Sequence, residues 1–139
     1  MEDTTLASKL DLNRAAHGDG SGKVATVRTN TSSGASTVPI DTTINFRGGE
    51  IIDFVAAAGT VISAAHEVVA VDRTNREVDI TPALGANVTA TTHFAVRAST
   101  TSTTSTANNS QNKEIQGLGS IVSDSGTLHG LNPSTYSWW

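Results

Sequence analysis

The stretch Glu67-Val68-Val69-Ala70-Val71-Asp72-Arg73-Thr74-Asn75-Arg76-Glu77-Val78-Asp79-Ile80 decides the fold class. Two short runs, Glu67–Asp72 and Arg76–Ile80, are rich in β-branched residues and flank the polar Arg73-Thr74-Asn75. Branched side chains suit a pleated, half-buried surface, and successive residues of a strand point to opposite faces. Asp72 can bond the turn backbone through its side chain, and Asn75 tolerates left-handed backbone. The pattern predicts a β-hairpin in which Val69 and Val71 share one face and Val78 and Ile80 share one on the partner strand.

The same extended reading continues on both sides. Lys23–Val27, Thr37–Ile40, Glu50–Val55 and Thr92–Arg97 read as strands, separated by the turn clusters Thr29–Gly34 and Arg47-Gly48-Gly49 and by a loop over Pro82–Asn87. Pro39 has no N–H to give a ladder, which points to an edge position. Short strands at close spacing predict a mainly β fold, a small antiparallel β-barrel or sandwich. It carries a short N-terminal helix and an extended C-terminal segment. In the helix, Leu6, Leu10 and Asn13 fall three to four residues apart, Asp3 or Thr4 can cap its start, and Gly18 supplies a left-handed stop. Such a helix is too short to be stable alone. Residues 99–112 are almost purely Ser, Thr, Asn and Gln, without the apolar surface that offsets ordering entropy. The expected organisation is therefore a helix over 1–17, a β-rich domain over 18–98, a linker over 99–112 and a final segment over 113–139.

Composition narrows the function. Lys and Arg number 9 against 13 Asp and Glu, a net charge of −4, which argues against a surface built to neutralise phosphates. Cysteine is absent, so disulfide frameworks and thiolate sites are excluded. Apolar residues make up 37% of the chain, below the 45–50% or so usual for a globular domain, so the core is expected to be thin. Ser and Thr account for 36 of the 139 residues, a composition that suits β structure with polar faces. No apolar run is long enough to form a membrane-spanning helix. The opening Met1-Glu2-Asp3-Thr4-Thr5 is acidic and polar, unlike a secretory signal.

Candidate chemistry is sparse. His17-Gly18-Asp19-Gly20-Ser21-Gly22-Lys23 has the glycines and lysine of a phosphate cradle, but it leaves a helix and enters a strand, so the nearby helix end carries the wrong partial charge. His17, Asp19 and Ser21 are the residue types of a hydrolase triad at a spacing that does not allow its geometry. The four histidines, His17, His66, His93 and His129, form neither a helical nor a strand metal pair. Asp11, Asn13, Asp19 and Ser21 lack the spacing of a calcium loop. Asp53, Asp72, Glu77 and Asp79 are expected on solvated strand faces and turns. No catalytic, cofactor or metal site is assigned, and the chain is expected not to be an enzyme. Tyr136, Trp138 and Trp139, with Leu128 and Leu131, offer large apolar surfaces that favour burial against a partner.

Two stretches carry a resemblance. One runs from Asp11 to Val27 through Asn13-Arg14-Ala15-Ala16-His17-Gly18-Asp19-Gly20-Ser21-Gly22; the other is Lys113-Glu114-Ile115-Gln116-Gly117-Leu118 continuing through Asp124-Ser125-Gly126-Thr127-Leu128-His129-Gly130-Leu131-Asn132-Pro133 to Trp138-Trp139. Both resemble major capsid proteins of tailed bacteriophages, of the Hong Kong 97-type fold. In those proteins a long helix ends in a Gly-Asp-Gly-x-Gly turn, a β-rich insertion follows, and the chain returns through a segment like 113–139. Family members are longer and continue past the tryptophan pair, so the resemblance implies either a portion of such a protein or a truncated relative of it.

The resemblance implies a structural role in the capsid shell, in a virion assembled in the cytoplasm of a bacterial host. Its partners would be copies of itself, as a homo-oligomer, and other capsid subunits, with no cofactor, membrane or direct nucleic-acid site. The rival reading is a decoration or adhesin-like β-rich binding module. Limited proteolysis is expected to cut first within residues 99–112, where exposed unpaired backbone is expected; early cleavage within Glu67–Ile80 would contradict the domain boundaries.

Overall fold

The computed structural model describes residues 21–57 and 59–98, together with Lys9, Leu12, Asn13 and Ala16, which are helical. The rest of the expected helix, the 99–112 linker and the 113–139 segment lie outside the described residues. The chain divides into two units, one of Lys23–Gln111 and one that joins Met1–Gly22 to Asn112–Trp139. Every described strand belongs to the unit Lys23–Gln111.

Six strands form one antiparallel sheet: β1 (Lys23–Thr26), β2 (Thr37–Pro39), β3 (Ile51–Ala56), β4 (Val61–Asp72), β5 (Glu77–Thr81) and β6 (His93–Arg97). Their order across the sheet is β1-β6-β3-β4-β5-β2. The sheet curls into a half-barrel rather than splitting into two stacked layers. The β4–β5 hairpin is the one the sequence predicts. Asp72 Oδ1 accepts from the N–H groups of Thr74 (2.8 Å) and Asn75 (2.9 Å), while Asn75 Nδ2 donates to Asp72 Oδ2 at 2.8 Å. The left-handed residue is Arg76 (φ 57°) and not Asn75, whose side chain is spent on Asp72.

β4 departs most from expectation. It starts at Val61, ahead of the expected Glu67, and its alternation breaks where extra residues are accommodated. Against β3, Ile52 faces His66 and Phe54 faces Ser63, so Ala64 and Ala65 together oppose Asp53. Against β5, Val68 faces Ile80 and Ala70 faces Asp79, leaving Val69 as the extra residue. Bulges of this kind bend a strand and increase its twist. The second one also overturns the expected pairing of Val69 with Val71. Val68 is fully buried, Val69 is 59% exposed, and Val71 packs against the core. Val78 and Ile80 share the buried face as expected.

The curl brings the two edge strands together. Just beyond β1 and β2, Val27 bridges Ile40; Arg28 N–H donates to Pro39 O and Asp41 N–H to Thr26 O, both at 2.9 Å. Side chains extend this closure, since Asp41 Oδ1 accepts from Thr26 N–H (2.8 Å) and Asn45 Nδ2 donates to Val24 O (3.4 Å). Edge groups that would otherwise template another strand are thereby occupied. Pro39 sits on edge strand β2, as its missing N–H requires.

Two loops fill what the sheet leaves open. The 82–92 loop zips onto the 29–36 loop through the Thr31–Val88 bridge and reciprocal bonds of Leu84 with Gly34 and Ala35, and buries Leu84 and Val88. The 41–50 loop buries Phe46, and arginines grip its carbonyls: Arg97 Nη2 donates to Asn45 O (3.0 Å) and Arg73 Nη1 to Thr43 O (3.3 Å). The core is Val24, Val27, Val38, Ile40, Phe46, Ile52, Phe54, Val68, Val78 and Ile80 with these plugs. The chain enters on β1 and leaves on β6, which are hydrogen-bonded neighbours with Lys23 opposite Val96.

The Val69 bulge gives adjacent valines opposite sensitivities. Val68→Thr is expected to lower stability by about 1–3 kcal/mol, because it buries a hydroxyl in an apolar site. Val69→Thr should stay within about 0.5 kcal/mol of the parent. Chemical denaturation of the two variants checks this, and equal losses would contradict the bulge.

Candidate functional site

Three buried polar residues among those described gather about one irregularity of β4, on the two sides of the sheet: Asp53, Ser63 and His66, with exposures of 2%, 5% and 1%. Asp53 corrects the expectation of a solvated carboxylate. β3 is buried on both faces: Ile52 and Phe54 face the core, while Asp53 and Val55 alternate to the other side and are buried as well. Asp53 Oδ1 accepts from Ala65 N–H at 2.8 Å. Ala65 lies in left-handed backbone at φ 60°, and the bulge lifts its N–H out of the ladder. The carboxylate supplies the acceptor that N–H would otherwise lack.

The same bulge creates the Ser63–His66 contact. In a regular strand, residues three apart point to opposite faces. With one extra residue between them, Ser63 opposes Phe54 and His66 opposes Ile52, so both turn to the core. Ser63 Oγ lies 2.7 Å from His66 Nε2, and His66 Nδ1 lies 2.7 Å from Pro82 O, next to the cis Thr81–Pro82 peptide. Gly85 N–H donates to Ser63 Oγ at 2.9 Å. A carbonyl only accepts, so Nδ1 carries the proton and Nε2 accepts from the Ser63 hydroxyl. The Phe54 ring packs on His66 with centroids 5.8 Å apart at 55°. Burial pushes the His66 pKa below its ordinary 6.5; the Pro82 bond and the Asp53 charge oppose that shift and are outweighed.

A serine hydroxyl on a histidine has the distance of a nucleophile and its base. Here, however, the second ring nitrogen is held by a carbonyl instead of a carboxylate. The Ser63 oxygen is engaged on both sides, and neither residue is open to a substrate. The arrangement is a latch that ties the 82–92 loop to β4. Sequence spacing does not reveal it, because residues three apart meet only where a strand is irregular. The available signal is Ala64-Ala65, two small residues interrupting a β-branched run.

The remaining expected residues fall elsewhere. Asp72 and Asp79 are exposed and Glu77 half-buried on the hairpin. His93 Nδ1 accepts from Thr89 N–H at 2.8 Å and closes a local turn. Among the described residues no three His, Cys, Asp or Glu side chains converge as a metal site. His17, Asp19, His129 and the expected contact residues Leu128, Leu131, Tyr136, Trp138 and Trp139 lie outside the described residues.

No protein-family model and no curated protein matches the chain. Among solved structures, the tailspike protein gp49 from Pseudomonas phage LKA1 is similar over 55% of this chain and 14% of its own length, with 21% identity and a TM-score of 0.43. A likeness of that size carries no functional argument.

Asp53→Ala should cost about 1–3 kcal/mol by leaving the buried Ala65 N–H without its acceptor, and Asp53→Asn, which keeps an acceptor oxygen, should cost less. Thermal melts of both variants check this; equal losses would show that charge, and not the hydrogen bond, is what Asp53 supplies.

Proposed function

We propose that this chain is a structural component of a bacteriophage capsid shell, in which the β-rich module is an insertion within a shell subunit. The observation that carries this reading is the pairing of β1 with β6. The chain enters and leaves the module on adjacent antiparallel strands, with Lys23 opposite Val96. An insertion needs its two ends side by side if the surrounding domain is to close around it. The stretches that resemble major capsid proteins, Asp11–Val27 and Lys113–Trp139, lie at the two ends of the chain and bracket the module. The resembling pattern has a β-rich insertion at this place.

The activity is contact between subunits rather than catalysis. The inward Ser63 and His66 are consumed by the fold, and the closed β1 edge directs association away from simple strand addition. Copies of the chain and other shell subunits are the partners, the virion is its location, and Leu128, Leu131, Tyr136, Trp138 and Trp139 are the contact residues.

Sedimentation velocity and negative-stain microscopy of the purified chain test the reading. Regular multi-subunit assemblies are expected, and deletion of Tyr136–Trp139 should lower their mass while the β-sheet circular dichroism persists. A strict monomer at every concentration would overturn the shell role in favour of a decoration or adhesin-like module.

A further inference from the structure

We propose that the Ser63–His66–Pro82 chain of hydrogen bonds is an acid-sensitive latch, whose protonation at His66 releases the 82–92 loop and its partner loop while the sheet stays folded. This does not depend on the shell reading. The 82–92 loop meets β4 through two bonds, His66 Nδ1–H to Pro82 O and Gly85 N–H to Ser63 Oγ, and both pass through the Ser63–His66 pair. In the neutral state every donor faces an acceptor in one direction: Gly85 N–H to Ser63, Ser63 O–H to His66 Nε2, and His66 Nδ1–H to Pro82. A proton on Nε2 reverses the middle bond. The Ser63 oxygen would then face two donors, its own hydrogen would have to find a new acceptor, and a cation would sit where the ring is 1% exposed.

The surrounding charges do not rescue that cation. From β3, the Asp53 charge favours the cation, but burial outweighs it. Glu67, next on β4, points outward and is exposed. Glu77 and Asp79 alternate away from the core face of β5, and β2 has no titratable side chain. On β6, His93 is bound to Thr89 N–H, and Arg97 lies 3.5 Å from Glu50 and bonds Asn45 O. Residues 82–85 of the loop carry no charge.

These groups fix the direction with pH. The closed state holds His66 below the ordinary 6.5, so closure is fully favoured above that value and is lost as pH falls through the lowered one. Within that window the opening constant rises by up to about tenfold per pH unit. Opening also frees the bonds between the two loops, Thr31 with Val88 and Gly34 and Ala35 with Leu84, while Ser36 O keeps its bond from Ile80 N–H.

Amide hydrogen exchange on the full chain tests the latch, as protection factors at about pH 7.5 and about pH 5, on either side of the ordinary histidine range. The amides of Leu84, Gly85, Val88, Thr31 and Gly34 are expected to lose protection at the acid end by up to about tenfold per pH unit, while those of β3 and β6 keep theirs. His66→Gln, which keeps an acceptor and a donor but cannot titrate, should abolish the pH dependence. Should that variant fail to fold, ring nitrogen shifts of His66 in the parent chain decide: an Nδ1–H tautomer with a midpoint below 6.5 is expected. Equal protection at both pH values, uniform loss across all strands, unchanged pH dependence in His66→Gln, or an Nε2–H tautomer would each overturn the proposal.

Discussion

The bond from Ala65 N–H to the Asp53 carboxylate is the constraint on which the rest of the module depends. A twelve-residue strand pairing regularly with both neighbours would be a long, gently twisted ribbon. β4 instead takes up an extra residue opposite Asp53, sets Ala65 at φ 60° and turns one N–H out of the ladder. A buried N–H without an acceptor is costly, and left-handed alanine adds roughly 1–2 kcal/mol. A carboxylate held on the facing strand offsets both. The bend then lets the sheet curl, and the shift of face sends Ser63 and His66 inward together.

From that bend comes the economy of polar groups in the module. The curled sheet nearly closes, and what strand pairing leaves undone is completed by side chains: Asp41 and Asn45 on β1, Asn30 and Asn87 between the two loops, arginines on the carbonyls of the 41–50 loop. A thin apolar core suits this design. Much of the specificity lies in directed hydrogen bonds from short polar residues, for which a chain rich in Ser, Thr, Asn and Asp is well supplied.

The same geometry links architecture to the proposed role. Because β1 and β6 are neighbours, the chain enters and leaves the module side by side, and its loops can vary or open without disturbing those two strands. The Ser63–His66 latch sits on the loop side of that division. Local opening there would alter the surface the module presents and leave β1 and β6 intact.

Much was legible in the sequence for local reasons. The Asp72–Ile80 hairpin, the edge position of Pro39 and the mainly β class follow from turn chemistry, a missing N–H and branched residues in short alternating runs, all of which act between neighbours in the chain. Only the tertiary structure decided that β4 begins at Val61, that Val68 rather than Val69 enters the core, that Asp53 is buried, and that Ser63 meets His66. Each of these turns on register. One added residue reverses the face of everything beyond it, and where it is added is set by the facing strand, through an acceptor such as Asp53 that lies 12 positions away in the chain.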